Sequence, residues 1–143
     1  MAITSAICNS FKTEILTGTH NFTASSGNTF NLALYTSSAS LGASTTAYTT
    51  SNEVSGSGYT AKGNALTSVT PTLDSSTAVC DFADTSFTSA SFTARGCLIF
   101  NDSATGDPAV CAIDFGSDKT VTSGTFTIQF PTADASNAII RIA

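Results

Sequence analysis

The sequence has no tryptophan, a single histidine (His20) and only five basic residues, and charged side chains make up just 10% of it. Five Lys and Arg stand against ten Asp and Glu, a net charge of −5. Too few cations remain to neutralise a run of phosphates, so nucleic acid and anionic membrane surfaces are not expected partners. No apolar run approaches the roughly 18 residues of a membrane-crossing helix. The opening Met1-Ala2-Ile3-Thr4-Ser5-Ala6 lacks the basic region and apolar stretch of an export signal, so a reducing compartment is expected. Cys8, Cys80, Cys97 and Cys111 never form a Cys-x-x-Cys pair, whereas structural zinc sites draw their ligands in close pairs. Three of them lie in apolar segments: Ala78-Val79-Cys80, Cys97-Leu98-Ile99-Phe100 and Val110-Cys111-Ala112-Ile113. Free core thiols are the expectation; a disulfide between neighbouring strands would need an oxidising compartment. Missing as well are a G-x-S-x-G elbow, a P-loop and a G-x-G-x-x-G turn.

What fills the place of charge is hydroxyl: 25 Thr and 21 Ser, nearly a third of the 143 residues. Together with 41% hydrophobic residues and 10 Phe, this composition describes one folded domain with a proper core. Its hydroxyl-rich, charge-poor surface suits contact with a neighbouring protein.

Periodicity divides the chain 1–143 into recognisable parts. Residues 1–20 form an N-terminal segment with one short helix: Asn9 or Ser10 caps it, Phe11, Ile15 and Leu16 make its apolar stripe, and Gly18 stops it. A helix of about two turns is too short to stand alone, so that stripe must pack on the domain or on a partner. From Asn28 the period becomes two, with Phe30, Leu32 and Leu34 alternating against Asn31, Ala33 and Tyr35 as in a half-buried strand. Residues 36–63 lose periodicity and read as a long surface loop pinned by Tyr48, Val54 and Tyr59. Further strands are expected from Leu66 to about Pro71, from Ala78 to Phe82, from Phe87 to Phe92, and over Cys97–Phe100. The turn Asn101–Pro108 leads to strands over Ala109–Phe115 and Phe126–Phe130, and Asn137–Ile142 supplies the last. Short strands at roughly 10-residue spacing predict an all-β fold, an antiparallel β-sandwich or jelly-roll-like domain with a short N-terminal helix.

Chemistry is hard to assemble from these residues. With 46 hydroxyl side chains a triad around His20 can always be drawn on paper, so a structural hydrogen-bonding role after the helix is the better reading. Asp81 and Asp84 form a carboxylate pair of the kind glycosidases use, but no Trp platform accompanies them, and Asp at strand ends commonly bonds its own backbone. The segment Asn101 to Ala112 imitates a calcium loop, with Gly106 in the sixth place, yet Ala112 stands where a bidentate Glu is required. A looser calcium site on Asp102 and Asp107 is the remaining variant. No cofactor or metal is expected.

The opening Asn9-Ser10-Phe11-Lys12-Thr13-Glu14-Ile15-Leu16-Thr17-Gly18-Thr19-His20-Asn21-Phe22 resembles the start of small structural proteins of tailed bacteriophages. So do Asn31 to Leu41, Tyr48 to Tyr59 and Asp114 to Lys119, and the likeness spans nearly the whole chain, weakest between Ala61 and Ala78. The resemblance implies a virion component without enzymatic activity. Within that family the expected role is a capsid decoration (cement) protein: a compact β-sandwich or jelly roll on the capsid surface that clamps neighbouring major capsid subunits, as a homo-oligomer (dimer or trimer), assembled in the bacterial cytoplasm. The alternative is a tail- or fibre-associated module that binds a host-surface glycan. Candidate interface residues are Phe11, Ile15 and Leu16 in the N-terminal segment, Tyr48 and Tyr59 in the long loop, and Ile140 in the last strand. Each has a plainer reading as core or as an anchor of its own loop.

Overall fold

The computed structural model of the chain describes residues 2–143. Eight strands and one helix follow one another as β1 (Ala6–Ile7), α1 (Asn9–Leu16), β2 (Phe30–Tyr35), β3 (Asn64–Ala65), β4 (Ser68–Asp74), β5 (Thr77–Phe82), β6 (Thr85–Asn101), β7 (Ala109–Ile128) and β8 (Ile140–Ile142). They build a five-stranded sheet in the order β1-β7-β6-β2-β3 and a three-stranded sheet in the order β4-β5-β8, every ladder antiparallel. The expected antiparallel β-sandwich with a short N-terminal helix is what the chain forms.

Aromatic side chains join the layers. Phe22 lies flat on Phe30 at 4.2 Å between ring centres, and both rings touch Phe82 of β5. Cross-strand partners share a face of a sheet. The register Leu32↔Ile99 and Leu34↔Cys97 therefore puts those four on the inner side, while Ala33↔Leu98 and Asn31↔Phe100 face outward. All six residues of β2 are nonetheless buried, so this strand is covered on both faces rather than one. The cover is the 36–63 loop: Tyr48 stacks on Phe100 at 4.8 Å, and the Tyr35 hydroxyl donates to the Thr49 carbonyl.

Several boundaries differ from the periodicity reading. Phe87–Phe92 and Cys97–Phe100 are parts of one strand, β6, and Ala109–Phe115 and Phe126–Ile128 of another, β7. Register shifts at four points in that hairpin, with Ser89, Gly116 and Ser123 at positive φ, break the alternation without breaking the pairing. The strand expected to end near Pro71 runs on to Asp74. Proline is tolerated because β4 is an edge strand and its register shifts between Val69 and Thr72. The last strand is shorter than Asn137–Ile142, because residues 134–138 turn on the Asp134 carboxylate and carbonyl first. Cys8, not Asn9 or Ser10, takes the N-cap place of α1, and no side chain caps it. Of the helix stripe, Phe11 is buried and Ile15 packs against the core, but Leu16 is 87% exposed.

Candidate functional site

The long loop is held by one carboxylate. Glu53 Oε2 accepts the Tyr48 hydroxyl at 2.6 Å, and Oε1 accepts the Tyr59 hydroxyl at 2.6 Å and the Lys62 backbone N–H at 2.7 Å. Tyr59 in turn accepts the Leu34 backbone N–H at 2.9 Å, so the clasp closes on the edge of β2. Val54 N–H donates to the Leu34 carbonyl, and Glu53 bridges Tyr35, giving the irregular loop the place of an edge strand. Where it rejoins the sheet, Gly63 (φ +66°) lies so near β2 that a Cβ there would collide with the Leu32 carbonyl. Burial first, and then the Glu53 hydrogen bond, pushes the Tyr48 phenol up to about 12 and that of Tyr59 higher still.

Lys62 fixes the neighbouring turn. Its Nζ lies 2.8 Å from both Asp102 Oδ1 and Asp107 Oδ2, beneath which run the Tyr48 and Phe100 rings. An ammonium thus sits between the two carboxylates that the sequence offered as a loose calcium site, and no group of three or more acidic, His or Cys side chains able to hold a metal is found among the described residues.

His20 is buried behind the helix. Asn101 Nδ2 approaches its Nδ1 at 3.1 Å, which makes Nδ1 the acceptor and leaves the proton on Nε2, 3.3 Å from Glu14 Oε2 though poorly aligned for a hydrogen bond. Asn101 itself is fully buried; it also donates to Asn28 Oδ1 and accepts the N–H groups of Ser103 and Ala104. Burial pushes the imidazole below its ordinary value, against the opposing pull of Glu14. The ring is therefore a brace between α1 and the β6 end, the structural role expected for it. Asp81 is buried, with Oδ1 accepting the Phe82 N–H and Oδ2 unpartnered, and burial pushes its carboxyl up. Asp84 Oδ1 accepts the Phe130 N–H. Both carboxylates bond the backbone, as Asp at strand ends does. All four cysteines are free and buried. Burial raises Cys8 to about 11 and Cys80 and Cys97 to about 12, so none is a ready thiolate.

A different feature lies at the open side of the sandwich. The three-stranded sheet does not reach across the inner face of β7, and an apolar groove of about 610 Å³ remains there, lined by Ile113, Phe115, Phe126, Ile128, Phe130 and Ile139 among others. Ile139 also lines a second hollow of about 450 Å³ between α1 and β8, walled by Phe11, Ile15, Leu16, Ile140 and Ile142. A third, of about 110 Å³, continues past β8 to Pro71 and Val79. The second and third share Phe11, Ile15, Ile140 and Ile142 at β8, and Ile139, just ahead of β8, joins the first to the second, so the three make one discontinuous apolar belt.

No family model, curated protein or solved structure matches this chain.

Of the residues singled out in the sequence, the fold brings Phe11, Ile15, Leu16 and Ile140 together on the wall of the second hollow, with Phe11 and Ile140 mostly withdrawn into the core. Tyr48 and Tyr59 lie elsewhere, half-buried, with their rings against Phe100, Phe87 and Phe92 and their hydroxyls on Glu53. Sequence reasoning missed Glu53, Lys62 and Asn101. A lone Glu inside a Ser/Thr loop that carries two tyrosines was the available signal for the first. Asn101 reads only as the opening of the turn to Pro108, a turn its bonds from the Ser103 and Ala104 N–H groups do make; no local pattern marks its inward partners Thr19, His20 and Asn28, 73 to 82 positions away.

Proposed function

We propose that this chain is a non-enzymatic structural protein of a phage virion, a capsid decoration (cement) protein that binds and stabilises neighbouring major capsid subunits as a dimer or trimer. The observation that carries this reading is the uncovered apolar belt around β8. Large side chains stand in water on its rim, Leu16 at 87% and Ile142 at 59% exposed, where a partner would cover them. The hydroxyl-rich surface lowers the cost of desolvation on docking, and many copies on a shell turn weak contacts into avidity. The resemblance to small phage structural proteins supports the same role. The alternative, a tail or fibre module for a host glycan, drew on Tyr48 and Tyr59, whose polar ends are engaged within their own loop. A hydrolase built on Asp81 and Asp84 would need Asp81 at the surface, and it is 2% exposed.

The test is the copy number in purified virions, by quantitative mass spectrometry against the major capsid protein. A ratio of order one to one, or a simple fraction matching the capsomer count, is expected. Some tens of copies or fewer per particle would move the chain to neck, tail or fibres, and absence from the particle would overturn the proposal.

A further inference from the structure

The five basic side chains divide into two sets. Lys62 is paired with Asp102 and Asp107, and Arg95 with Asp114 and Asp118. Lys12, Lys119 and Arg141 make no salt bridge among the described residues, and all three are exposed on the apolar belt: Lys119 beside the β7 groove, Lys12 and Arg141 beside the α1–β8 hollow. Lys12 Nζ reaches only Asn9 Oδ1; Arg141 Nη1 donates to the Ala135 carbonyl and, after the Asn137 side chain and the Ser136 N–H, helps hold Asp134 below the usual carboxylate range. No carboxylate lines any part of the belt. On a chain of net charge −5, the unpaired cations are thus gathered where the apolar surface is open, while all ten carboxylates lie outside it.

Strand edges border the same surface. β8 is hydrogen-bonded to β5 on one side and, among the described residues, to no strand on the other. β1 pairs with β7 at Cys111 and Ala112, the Cys8 N–H donates to the Val110 carbonyl and Ser5 Oγ accepts the Asp114 N–H; beyond Asp114, β7 pairs with β6 alone. An open edge presents backbone donors and acceptors that a helix or a lipid chain cannot satisfy and an added strand can.

We propose that the belt is a docking site for an extended acidic segment of a partner subunit, added as a strand beside β8. Alternate residues of such a strand point to opposite sides. Its apolar positions enter the groove over Phe126, Ile128 and Ile139, and its carboxylates meet Lys12, Lys119 and Arg141. This rests on the reading of the chain as an assembly component and names what it recognises. The positive rim selects for acidic segments and against basic ones, and it speeds encounter more than it adds affinity.

The probe is a fluorescent, end-capped nonapeptide alternating valine and glutamate, titrated with the intact protein by polarisation. Saturable binding is expected that weakens as NaCl rises from 50 to 500 mM. Lys12→Glu, Lys119→Glu and Arg141→Glu together should weaken it about tenfold or more while the unfolding midpoint falls by only a few degrees, since all three side chains are exposed and the variant gives up only the Lys12–Asn9 and Arg141–Ala135 hydrogen bonds and the attraction between Arg141 and Asp134. A valine–lysine peptide should bind at least tenfold more weakly, and so should the valine–glutamate peptide N-methylated at alternate residues, which cannot complete a ladder. Equal binding by the triple variant, the lysine peptide or the N-methylated peptide overturns the inference. So does preference for phosphatidylglycerol vesicles, which would make the belt a lipid site, or a homodimer that the triple variant dissociates, which would make the occupant a second copy. A chain abundant in virions that ignores the peptide loses this inference alone; one that binds the peptide but is absent from virions loses the assembly role instead.

Discussion

Replacing Glu53 by Ala should release the 36–63 loop. The substitution deletes the acceptor of three hydrogen bonds, from the Tyr48 hydroxyl, the Tyr59 hydroxyl and the Lys62 N–H, all between 2.6 and 2.7 Å. Hydrogen bonds to a charged group contribute about 1.5–3 kcal/mol each when buried. Glu53 is half-buried, so water recovers part of that, and Tyr59 keeps its bond from the Leu34 N–H. A net loss of about 3 kcal/mol is the working figure, a large share of the 5–15 kcal/mol typical of a domain, and it corresponds to a fall of about 10 °C in midpoint. The measurement is urea unfolding combined with hydrogen exchange followed by mass spectrometry. Exchange should accelerate over 36–63 and along the β2 edge that the loop seals, and not across the β6–β7 ladder. Glu53→Gln keeps one carbonyl acceptor and should fall between wild type and Glu53→Ala. A loss below about 1 kcal/mol with unchanged exchange over 36–63 would refute the idea that one carboxylate holds the loop, and would leave Tyr48–Phe100 stacking and the Lys62 ion pairs as its fastening.

Two further perturbations test buried titratable groups. His20 has its pKa lowered by burial, so stability is complete above the ordinary histidine value of about 6.5 and declines as pH falls below it, when the unfolded chain gains a proton that the folded one resists. Urea midpoints at pH 8 and pH 5.5 should show this drop, and a His20→Gln variant that kept the same drop would assign it elsewhere. Asp81 is the opposite case: burial raises its pKa, so the stability present while it is protonated is lost as pH rises through the ordinary carboxylate range near 4 towards the folded value. Asp81→Asn keeps an Oδ1 acceptor for the Phe82 N–H and removes the buried charge, so thermal melts should show it more stable than wild type at pH 7 and closer to it at pH 3.5; a lower midpoint at pH 7 would mean that Oδ2 has a partner.

Fold class was legible in the chain because alternation, turn residues and a single short helical stripe are local properties. Phe30-Asn31-Leu32-Ala33-Leu34-Tyr35 is a strand wherever it lies. Its burial on both faces was not legible, since the cover comes from Tyr48 and Tyr59, 13 or more positions further on. The buried state of Cys80, Cys97 and Cys111 followed from their apolar neighbours, whereas that of Cys8 came only with the fold. Strand lengths were not legible: bulges at Phe87–Ala90 and Ala94–Gly96 interrupt the pattern in β6 without ending the strand, so one long hairpin reads as several short pieces. Leu16 belongs to the helix stripe by spacing, yet its exposure depends on how far β8 and the helix stand apart, a distance no local pattern encodes.

The candidate site divides the same way. Composition alone determined that the chain is acidic, hydroxyl-rich and poor in cations. Only the tertiary structure decided that Lys12, Lys119 and Arg141, up to 129 positions apart by their numbering, share one apolar belt while the other two cations are spent on ion pairs. The reason is physical: composition and period act within a few residues, whereas an open groove is what remains after all the elements have packed. Its shape is set by where β8 stops and how far β7 runs, and neither length is encoded near the residues that line it.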